Sequence, residues 1–380
     1  MMTRRIAVRC KVRGCCCISI NMRALFDRHD RQSVALMSTC SLPVIATGIA
    51  IVLWPFRISV AQSIDREFRI DAGHSTIEFE MPFIDSHVQG RFDRVTGAIV
   101  LPDSASGGMA SASLAVVIHT AGTNTGSTQR DRLLRSSDFF DAGRYPELVF
   151  RSDHVECAAT RPVFVGRLTM HGVARTVRIP FHVSLAPNAG SRNTVLAIFT
   201  GSVAVSRLDF GILGDSARHD GFNRARNATT DDSVRIRMEI HAGMLDSANP
   251  SPSIRSAIAG IDSVGIDSSV GRLRATFRRD SAFVAANEGA ADDIGRVLLR
   301  RGRVRDGFTW LHALARLLPA SPNAMVSVGV ANERMGDTAR ARAWYDRAVA
   351  ADSLNPRAMA RLSALDALAR RPLPTQKVCQ

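Results

Sequence analysis

Three residues in one five-residue stretch have the side chains of a hydrolytic triad, namely Asp71, His74 and Ser75. In such a triad the histidine activates the serine hydroxyl for attack on a carbonyl carbon. Neighbouring residues of an extended strand point to opposite faces, so His74 and Ser75 are not expected to come within the ~3 Å that proton transfer requires. No Gly-x-Ser-x-Gly turn accompanies them. We therefore predict no catalytic residue and no enzymatic activity, and we assign Asp71 and His74 to closing a turn before a strand.

Further histidines between residues 87 and 241 lack the spacing of a metal site. Zinc sites are commonly built on HxH or HExxH spacings, and neither occurs here. These histidines are His87, His119, His154, His171, His182, His219 and His241. We predict that the protein binds no metal and holds no resident cofactor.

The formal net charge of +14 is divided unevenly along the chain. Nine Lys and Arg against two Asp fall in residues 1–61, so half of the excess lies there. The later basic residues are scattered, without the basic runs and interleaved aromatic residues that nucleic-acid sites use. We predict no nucleic-acid partner. With 46% hydrophobic and 22% charged residues, the 380-residue chain has the composition of ordinary globular domains and the length for two of them.

Residues 1–61 have the layout of a secretory signal peptide. An uncharged apolar run at 42–56 follows several arginines and precedes Ser59-Val60-Ala61, whose small side chains suit cleavage after Ala61. The run is shorter than the ~20 residues that a membrane span needs. We expect export to the periplasm or the medium, with an uncleaved anchor as the alternative. Membrane contact is otherwise expected to be transient.

Between residues 62 and 243 the apolar residues recur with a period of two. Such alternation is typical of antiparallel strands that have one buried and one solvated face. The alternating sets are Ile77, Phe79 and Met81; Leu114, Val116 and Ile118; Val177, Ile179, Phe181, Val183 and Leu185; and Val234, Ile236, Met238 and Ile240. About eight such runs predict a mainly β domain, as a closed antiparallel barrel or a sandwich. A barrel of this size can enclose one small ligand.

Residues 129–152 lie between two of these runs and combine surface charges with large apolar groups. Burial of each large apolar side chain is worth ~1.5–3 kcal/mol, which favours folding the segment back onto the strands. We predict a helical plug over one end of the barrel. The helix is expected to end at Tyr145-Pro146, because a residue before proline is disfavoured in the α region.

A series of short motifs follows the same course along this domain. The motifs are Asp71-Ala-Gly-His74-Ser75, Gly90-Arg-Phe92, Arg130-Asp131, Asp138-Phe139-Phe140, Tyr145-Pro146, Phe150-Arg-Ser152, Gly166-Arg-Leu168-Thr169 and Arg207-Leu-Asp209-Phe210-Gly211. In order and spacing they resemble the YceI-like family of exported polyisoprenoid-binding proteins, over residues 68–241. The resemblance implies a lipocalin-like antiparallel barrel whose interior holds the apolar tail of a lipid. One departure is Met81-Pro82-Phe83, where the family often has a histidine.

The resemblance implies that inward-facing apolar side chains line a slot for the tail. The candidates are Phe79, Phe83, Phe92, Leu133, Phe140, Phe150, Phe181 and Phe199. Each CH₂ of a tail buried there gains ~0.8 kcal/mol, so polar groups are needed only at the mouth. An isoprenoid quinone or another long-chain lipid is the expected bound molecule. The same residues also fit a self-filled core, because small barrels can fill themselves with side chains.

The second half of the chain changes in composition and then in period. Residues 244–271 are rich in Ser, Asp, Pro, Ala and Gly, which predicts an irregular linker. Residues 272–371 follow a helical period and carry a repeat, in which Gly295 and Leu311 recur 34 residues later as Gly329 and Tyr345. This period resembles that of tetratricopeptide repeats and predicts an all-α helical-repeat domain. Residues 372–380 are left as a tail.

Two hypotheses for function follow. In the first, the protein is an exported, non-enzymatic lipid-binding barrel, and its helical repeats bind a protein partner or mediate self-association. In the alternative, the barrel is self-filled and the protein is a scaffold that acts through the repeats.

Overall fold

A computed structural model describes residues 66–83, 86–102, 109–157, 161–187, 194–214 and 232–370. These residues all belong to one compact unit, which spans 59–380. The predicted signal peptide and the predicted C-terminal tail lie outside the described residues.

The first part of the described chain is almost entirely β structure, as the two-residue period predicts. The strands are β1 (Arg66–Ile70), β2 (Thr76–Phe83), β3 (Ser86–Phe92), β4 (Val95–Leu101), β5 (Ser113–His119), β6 (Thr123–Asn124), β7 (Glu147–Cys157), β8 (Pro162–Met170), β9 (Val173–Pro187), β10 (Thr194–Ser206) and β11 (Ser233–Leu245). Every pairing between them is antiparallel.

Eight of these strands close a ring in the order β1-β4-β5-β7-β8-β9-β10-β11. Closure is made by β1 against β11, with Arg69 opposite Gly243 and Ile70 opposite Ala242. Strand β11 also pairs with β2, which extends the wall through β3 to β6. Each of the eight described strands in the ring therefore has a hydrogen-bonded neighbour on both sides. The prediction of a lipocalin-like closed barrel is confirmed.

The interior of the barrel is packed with the inward-facing members of the alternating sets. Phe68, Ile99 and Phe164 are among its most deeply buried side chains. The rings of Phe164 and Phe181 stack with their centroids 4.1 Å apart, and Phe199 follows at 6.1 Å from Phe181. These stacked rings fill this part of the barrel with side chains.

The outward face of β4 and β5 is buried as well. Ala98, Val100, Ala115 and Val117 form a cluster with apolar residues of the C-terminal helix, including Met359. Strands covered on both faces lose the polar half of the alternation, and 95–101 reads VTGAIVL. The wall formed by β4 and β5 is therefore a sheet between two apolar layers.

The chain after the barrel is helical. The helices are α2 (Pro252–Val264), α3 (Ile266–Arg279), α4 (Ser281–Ala286), α5 (Glu288–Arg300), α6 (Val304–Leu317), α7 (Pro322–Arg334), α8 (Thr338–Ala351) and α9 (Pro356–Ala369), and α1 (Thr128–Arg135) precedes them within the barrel. Within the described residues, none of these helices combines the length and apolar character needed to cross a membrane.

The prediction of an irregular linker at 244–271 is wrong, because most of these residues are helical. Helix α2 begins after Ser251, whose side chain accepts a hydrogen bond from the Ile254 amide, and Pro252 occupies a position where its missing N–H costs nothing. Ile254, Ile258 and Ile261 share its buried face. The helical spacing of three isoleucines thus outweighs a composition that is typical of linkers.

The helix starts repeat at the predicted interval. Helices α5, α7 and α9 begin 34 residues apart, at Glu288, Pro322 and Pro356. Glycines set the closest approach inside each pair, since a Cβ at Gly295 would lie 2.4 Å from Leu311 and one at Gly329 would lie 2.3 Å from Tyr345. The two contacts are equivalent positions of the repeat, so the sequence period corresponds to a repeated helix-packing geometry.

A buried carboxylate joins the barrel to the helices. Glu67 of β1 accepts hydrogen bonds from Arg296 Nη1 at 3.0 Å, Arg357 Nε at 2.6 Å and Arg361 Nε at 3.1 Å. Burial alone would raise the pKa of Glu67, but the three guanidinium groups outweigh it and hold the pKa well below its ordinary value. The charge is thus fully paired in a site without solvent.

Replacing Glu67 by glutamine is expected to lower the free energy of unfolding by ~3–5 kcal/mol, since it removes the carboxylate that three buried arginines share and leaves them with Asp292 and Glu333 as counter-charges. Urea unfolding of the full chain measures the effect. The matched control is Glu156→Gln, which removes an exposed carboxylate that also pairs with an arginine, Arg178. The control substitution is expected to leave the urea concentration at the unfolding midpoint nearly unchanged. Equal effects in the two variants would show that the buried cluster does not hold the two parts together.

The same carboxylate gives a pH dependence of defined sign. Because its folded-state pKa is below the ordinary 4.5, the stabilisation from Glu67 is fully present above about pH 4.5 and is lost as the pH falls through the folded-state pKa. The difference in unfolding free energy between wild type and Glu67→Gln is expected to narrow in that acidic range. Unfolding curves of both proteins at a series of pH values test this, and a difference that widens in acid would contradict it.

Candidate functional site

An apolar cavity of about 80 Å³ lies at the end of the barrel that α1 covers. Its walls come from β2, β3, β5, β7, β8, β10 and β11, and its lid comes from Leu134, Phe139 and Phe140. Apart from Arg207, the described residues that line it have apolar side chains. A cavity with such walls favours hydrocarbon over water.

The lid begins with the short helix α1, which is fixed at its N-terminal end. Ser127 caps the helix by accepting a hydrogen bond from the Arg130 amide. Asp131 turns back and accepts from both the amide and the hydroxyl of Thr125, at 2.8 and 2.6 Å. The hydroxyl of Thr125 is the main cause that lowers the pKa of Asp131, so the anchor is a charged one at neutral pH.

The rest of the lid is a series of turns rather than helix. Helix α1 ends at Arg135, where Ser136 is extended, so the prediction of a helix reaching Tyr145 is wrong. Asp141 has a φ of 47°, and left-handed backbone of this kind is incompatible with a continuing helix. The turns bring Phe140 back toward the barrel, with its ring 5.8 Å from that of Phe92. The plug predicted from the aromatic residues is thus present with a different backbone.

The structure separates the predicted lining residues into groups. Phe79, Phe92 and Phe140 line the cavity. Phe150, Phe181 and Phe199 are buried in the same barrel core but do not border the cavity. Phe83 is the last residue of β2, and its side chain lies outside the described part of the chain.

The prediction that Leu133 lines the barrel interior is wrong. Its side chain is 40% exposed, whereas that of Leu134 is 6% exposed and borders the cavity. Adjacent helical positions are rotated by about 100° from each other, so only one of the two leucines can face the barrel. The sequence has an apolar residue at both positions and does not show which one faces inward.

Several lining residues were not among the candidates. They include Met170, Ile212 and Arg207, together with Leu134 and Phe139. Phe139 and Arg207 lie inside motifs that carry the family resemblance, and this is the signal that could have found them. For Met170 and Ile212 the sequence shows only that they are apolar.

The cavity is smaller than a long tail requires. An enclosed space of ~150 Å³ accommodates a molecule such as benzene, and typical ligand pockets begin at ~300 Å³. At about 80 Å³ the cavity holds a few carbon atoms, while the stacked rings of Phe164 and Phe181 fill the barrel beyond it. A long tail can therefore enter only if Phe139 and Phe140 move.

A larger groove of about 400 Å³ lies on the outer face of β2, β3 and β11. Its charged residues pair across the strands, as Arg237 does with Glu80 at 2.8 Å. Opposite charges facing each other across strands stabilise a solvated sheet surface. We assign this groove to the surface of the barrel wall and not to a binding site.

The residues of triad type form a turn. Asp71 Oδ2 and His74 Nδ1 are 2.8 Å apart, and the Gly73 amide donates to Asp71 Oδ1 at 2.9 Å. The hydroxyl of Ser75 donates to the Asp71 carbonyl oxygen at 2.6 Å. The predicted closure of the turn by Asp71 and His74 is confirmed, and the serine hydroxyl is directed to backbone.

The fold and the cavity together define a closed antiparallel barrel with an apolar end pocket under an aromatic lid. Residues 68–242 match the family model described as the YceI-like domain. A UPF0312 protein of Vibrio parahaemolyticus is 31% identical over 183 residues, which cover 46% of this chain and 92% of the relative. A UPF0312 protein of Pseudomonas paraeruginosa is 28% identical over 172 residues, with 44% and 88% covered. The chain belongs to the YceI-like family.

Solved structures also resemble this part of the chain. BcnA of Burkholderia cenocepacia is 21% identical, with 45% of this chain and 98% of that chain covered and a TM-score of 0.37. A polyisoprenoid binding domain of Saccharophagus degradans implicated in plant cell wall breakdown is 18% identical, with 47% and 98% covered and a TM-score of 0.32. The match to the family model ends at residue 242, before the C-terminal helices begin.

The two adjacent leucines of α1 provide a matched test of the lid. Leu134→Ala is expected to lower the free energy of unfolding by ~2–5 kcal/mol, because it removes a buried side chain and enlarges the cavity. Leu133→Ala is expected to have little effect, because that side chain is largely solvated. Urea unfolding of both variants distinguishes them, and a larger loss for Leu133→Ala would reverse the assigned face of the helix.

Proposed function

We propose that this protein binds a lipid by burying its apolar tail in the barrel beneath the lid. The observation that carries the proposal is the cavity, whose walls are apolar and whose lid presents Phe139 and Phe140. Membership of the YceI-like family supports the same function. The proposed role is non-enzymatic, that of a carrier or a protein that sequesters its lipid.

The lid provides the additional space in this proposal. Phe139 and Phe140 are only partly buried, and they lie in turns outside the strand ladders. When they swing out, the contacts they lose are replaced by the tail, which gains ~0.8 kcal/mol for each buried CH₂. For a short tail, the free energy gained from burying the tail is close to the free energy lost when the two rings leave the barrel. Each further CH₂ of a longer tail makes binding more favourable. Long-chain lipids are therefore the proposed ligand class, with polyisoprenoids or an isoprenoid quinone as the specific candidates.

Export is a further part of the proposal and rests on the sequence of residues 42–61. The apolar run there and the small residues before the proposed cut support cleavage after Ala61 and a periplasmic or secreted location. N-terminal sequencing of the exported protein tests this, and a chain that retains residues 42–61 would favour the membrane anchor instead.

The second candidate function is a scaffold that acts through tetratricopeptide-like repeats. The small volume of the cavity favours it, because a filled barrel needs no ligand to be stable. The helices recur every 34 residues, as such repeats do. One face of the repeat is already occupied, however, since α9 packs on β4 and β5. A partner or a second copy of the chain would have to use other helical surfaces.

Lipid extraction separates the two functions. The protein purified from its own host is extracted with organic solvent, and the extract is analysed by mass spectrometry. We expect a long-chain lipid in roughly stoichiometric amount. Phe140→Asp is expected to abolish it, because the lid would place a charge on the apolar cavity.

The matched control is Phe283→Asp, which makes the same change at an exposed phenylalanine of α4. It is expected to retain the lipid in full. Absence of lipid from the wild-type protein, together with unchanged thermal stability of both variants, would contradict the carrier function and favour the scaffold function.

A further inference from the structure

Arg207 borders the cavity with the apolar part of its side chain, and no polar atom of its guanidinium group is exposed on the described cavity wall. It follows the end of β10, and among the described residues that line the cavity it is the charged one. Its side chain is 10% exposed. A guanidinium group in apolar surroundings is costly unless its N–H groups are bonded, so its partners show how it is used.

The described partners of Arg207 do not account for all of its N–H groups. Nη1 donates to the carbonyl oxygens of Ile212 and Leu213, at 3.2 and 2.9 Å. Nη2 lies 3.5 Å from Oδ1 of Asp232, a carboxylate that is partly in solvent. The Nε–H is buried and has no hydrogen-bond acceptor among the described residues. Among the described residues, the guanidinium group is therefore held by two backbone carbonyl oxygens and Asp232, and Nε is left without an acceptor.

The position of Arg207 is between the interior and the rim of the barrel. Phe210 and Ile212, which follow it, are buried, whereas the intervening Leu208 and the following Leu213 are exposed. Arg207 thus lies in a segment where buried and exposed residues alternate, at the edge of the barrel interior.

The lid also touches this position. A Cβ at Gly214 would lie 3.0 Å from Arg207 Nη1 and 3.3 Å from the ring of Phe139, so glycine lets the lid and the arginine approach each other. The Gly214 amide donates to the carbonyl oxygen of Asp138, which fixes the loop to the lid. Phe139 and the Arg207 guanidinium group are thus neighbours through Gly214.

We propose that Arg207 binds the anionic head group of the lipid, a phosphate or a carboxylate, while the barrel binds the tail. This inference rests on the proposed lipid-binding function and adds a charge preference to it. The planar guanidinium group presents parallel N–H donors that match phosphate and carboxylate oxygens. Asp232 is the group with which the ligand competes for Nη2, and its solvated position allows it to turn away.

Two ligands with the same tail test the proposal in the full-length protein. Farnesyl phosphate and farnesol differ only in the head group, and equilibrium dialysis below their micelle concentrations gives both affinities. We expect wild type to bind farnesyl phosphate at least about tenfold more tightly, because a hydrogen bond to a charged group is the stronger kind. Arg207→Gln is expected to remove the preference and retain farnesol. The control is Arg132→Gln, at an exposed arginine of α1, and this variant is expected to keep the preference for farnesyl phosphate.

The outcomes separate this inference from the function on which it rests. Equal binding of the two ligands by wild type would overturn the role of Arg207 and leave tail binding intact. Binding of neither ligand would overturn tail binding itself. Inorganic phosphate is measured in the same way, and binding as tight as that of farnesyl phosphate would show an anion site that does not use the tail, which also overturns the proposal.

A second variant keeps the test decisive if loss of Arg207 impairs folding. Asp232→Asn removes the competing carboxylate and leaves its backbone carbonyl, which accepts from the Arg207 amide at 3.0 Å. We expect several-fold tighter binding of farnesyl phosphate and unchanged binding of farnesol, because the opposite charge no longer offsets the arginine. An unchanged ratio of the two affinities would overturn the proposal.

Discussion

The buried carboxylate of Glu67 is the interaction on which the arrangement of barrel and helices depends. It belongs to the strand that closes the barrel, and the three guanidinium groups around it come from α5 and α9. The adjacent residue, Phe68, faces the interior and is fully buried. One strand thus contributes its inner face to the barrel core and its outer face to the ion cluster. The helices are therefore an integral layer of the molecule, although the family similarity covers only the barrel.

The interior of the barrel is divided between packing and binding. Stacked phenylalanines fill one part, where their geometry resembles that of any well-packed core. The other part is a small apolar space closed by a lid that lies outside the strand ladders. Such a division lets the barrel remain stable without a ligand and confines any rearrangement to the lid and its immediate contacts. Arg207 lies at the boundary between the apolar space and the rim, where polar and apolar requirements meet.

The sequence predicts the features that depend on local period. Alternation gives the strands, and the 34-residue repeat gives the spacing of α5 to α9. Features set by contacts distant in sequence could not be predicted. The pairing of Glu67 with Arg357 joins residues 290 positions apart, and the outward burial of Val117 depends on a helix that follows much later. The size of the cavity depends on side-chain packing, and the choice between Leu133 and Leu134 depends on how α1 sits on the barrel.

The helix layer on β4, β5 and β7 covers one side of the barrel, and this has a mechanical consequence. Hydrogen bonds from Ser113 to the Ala360 carbonyl oxygen and from Arg151 to Ser363 fix the outer face of that wall to the helix. By contrast, Arg235, Arg237 and Glu239 of β11 are exposed, and Arg237 pairs with Glu80 of the neighbouring strand β2. The wall under the helices is therefore held on both of its faces, so an entering guest displaces the lid and leaves this wall in place.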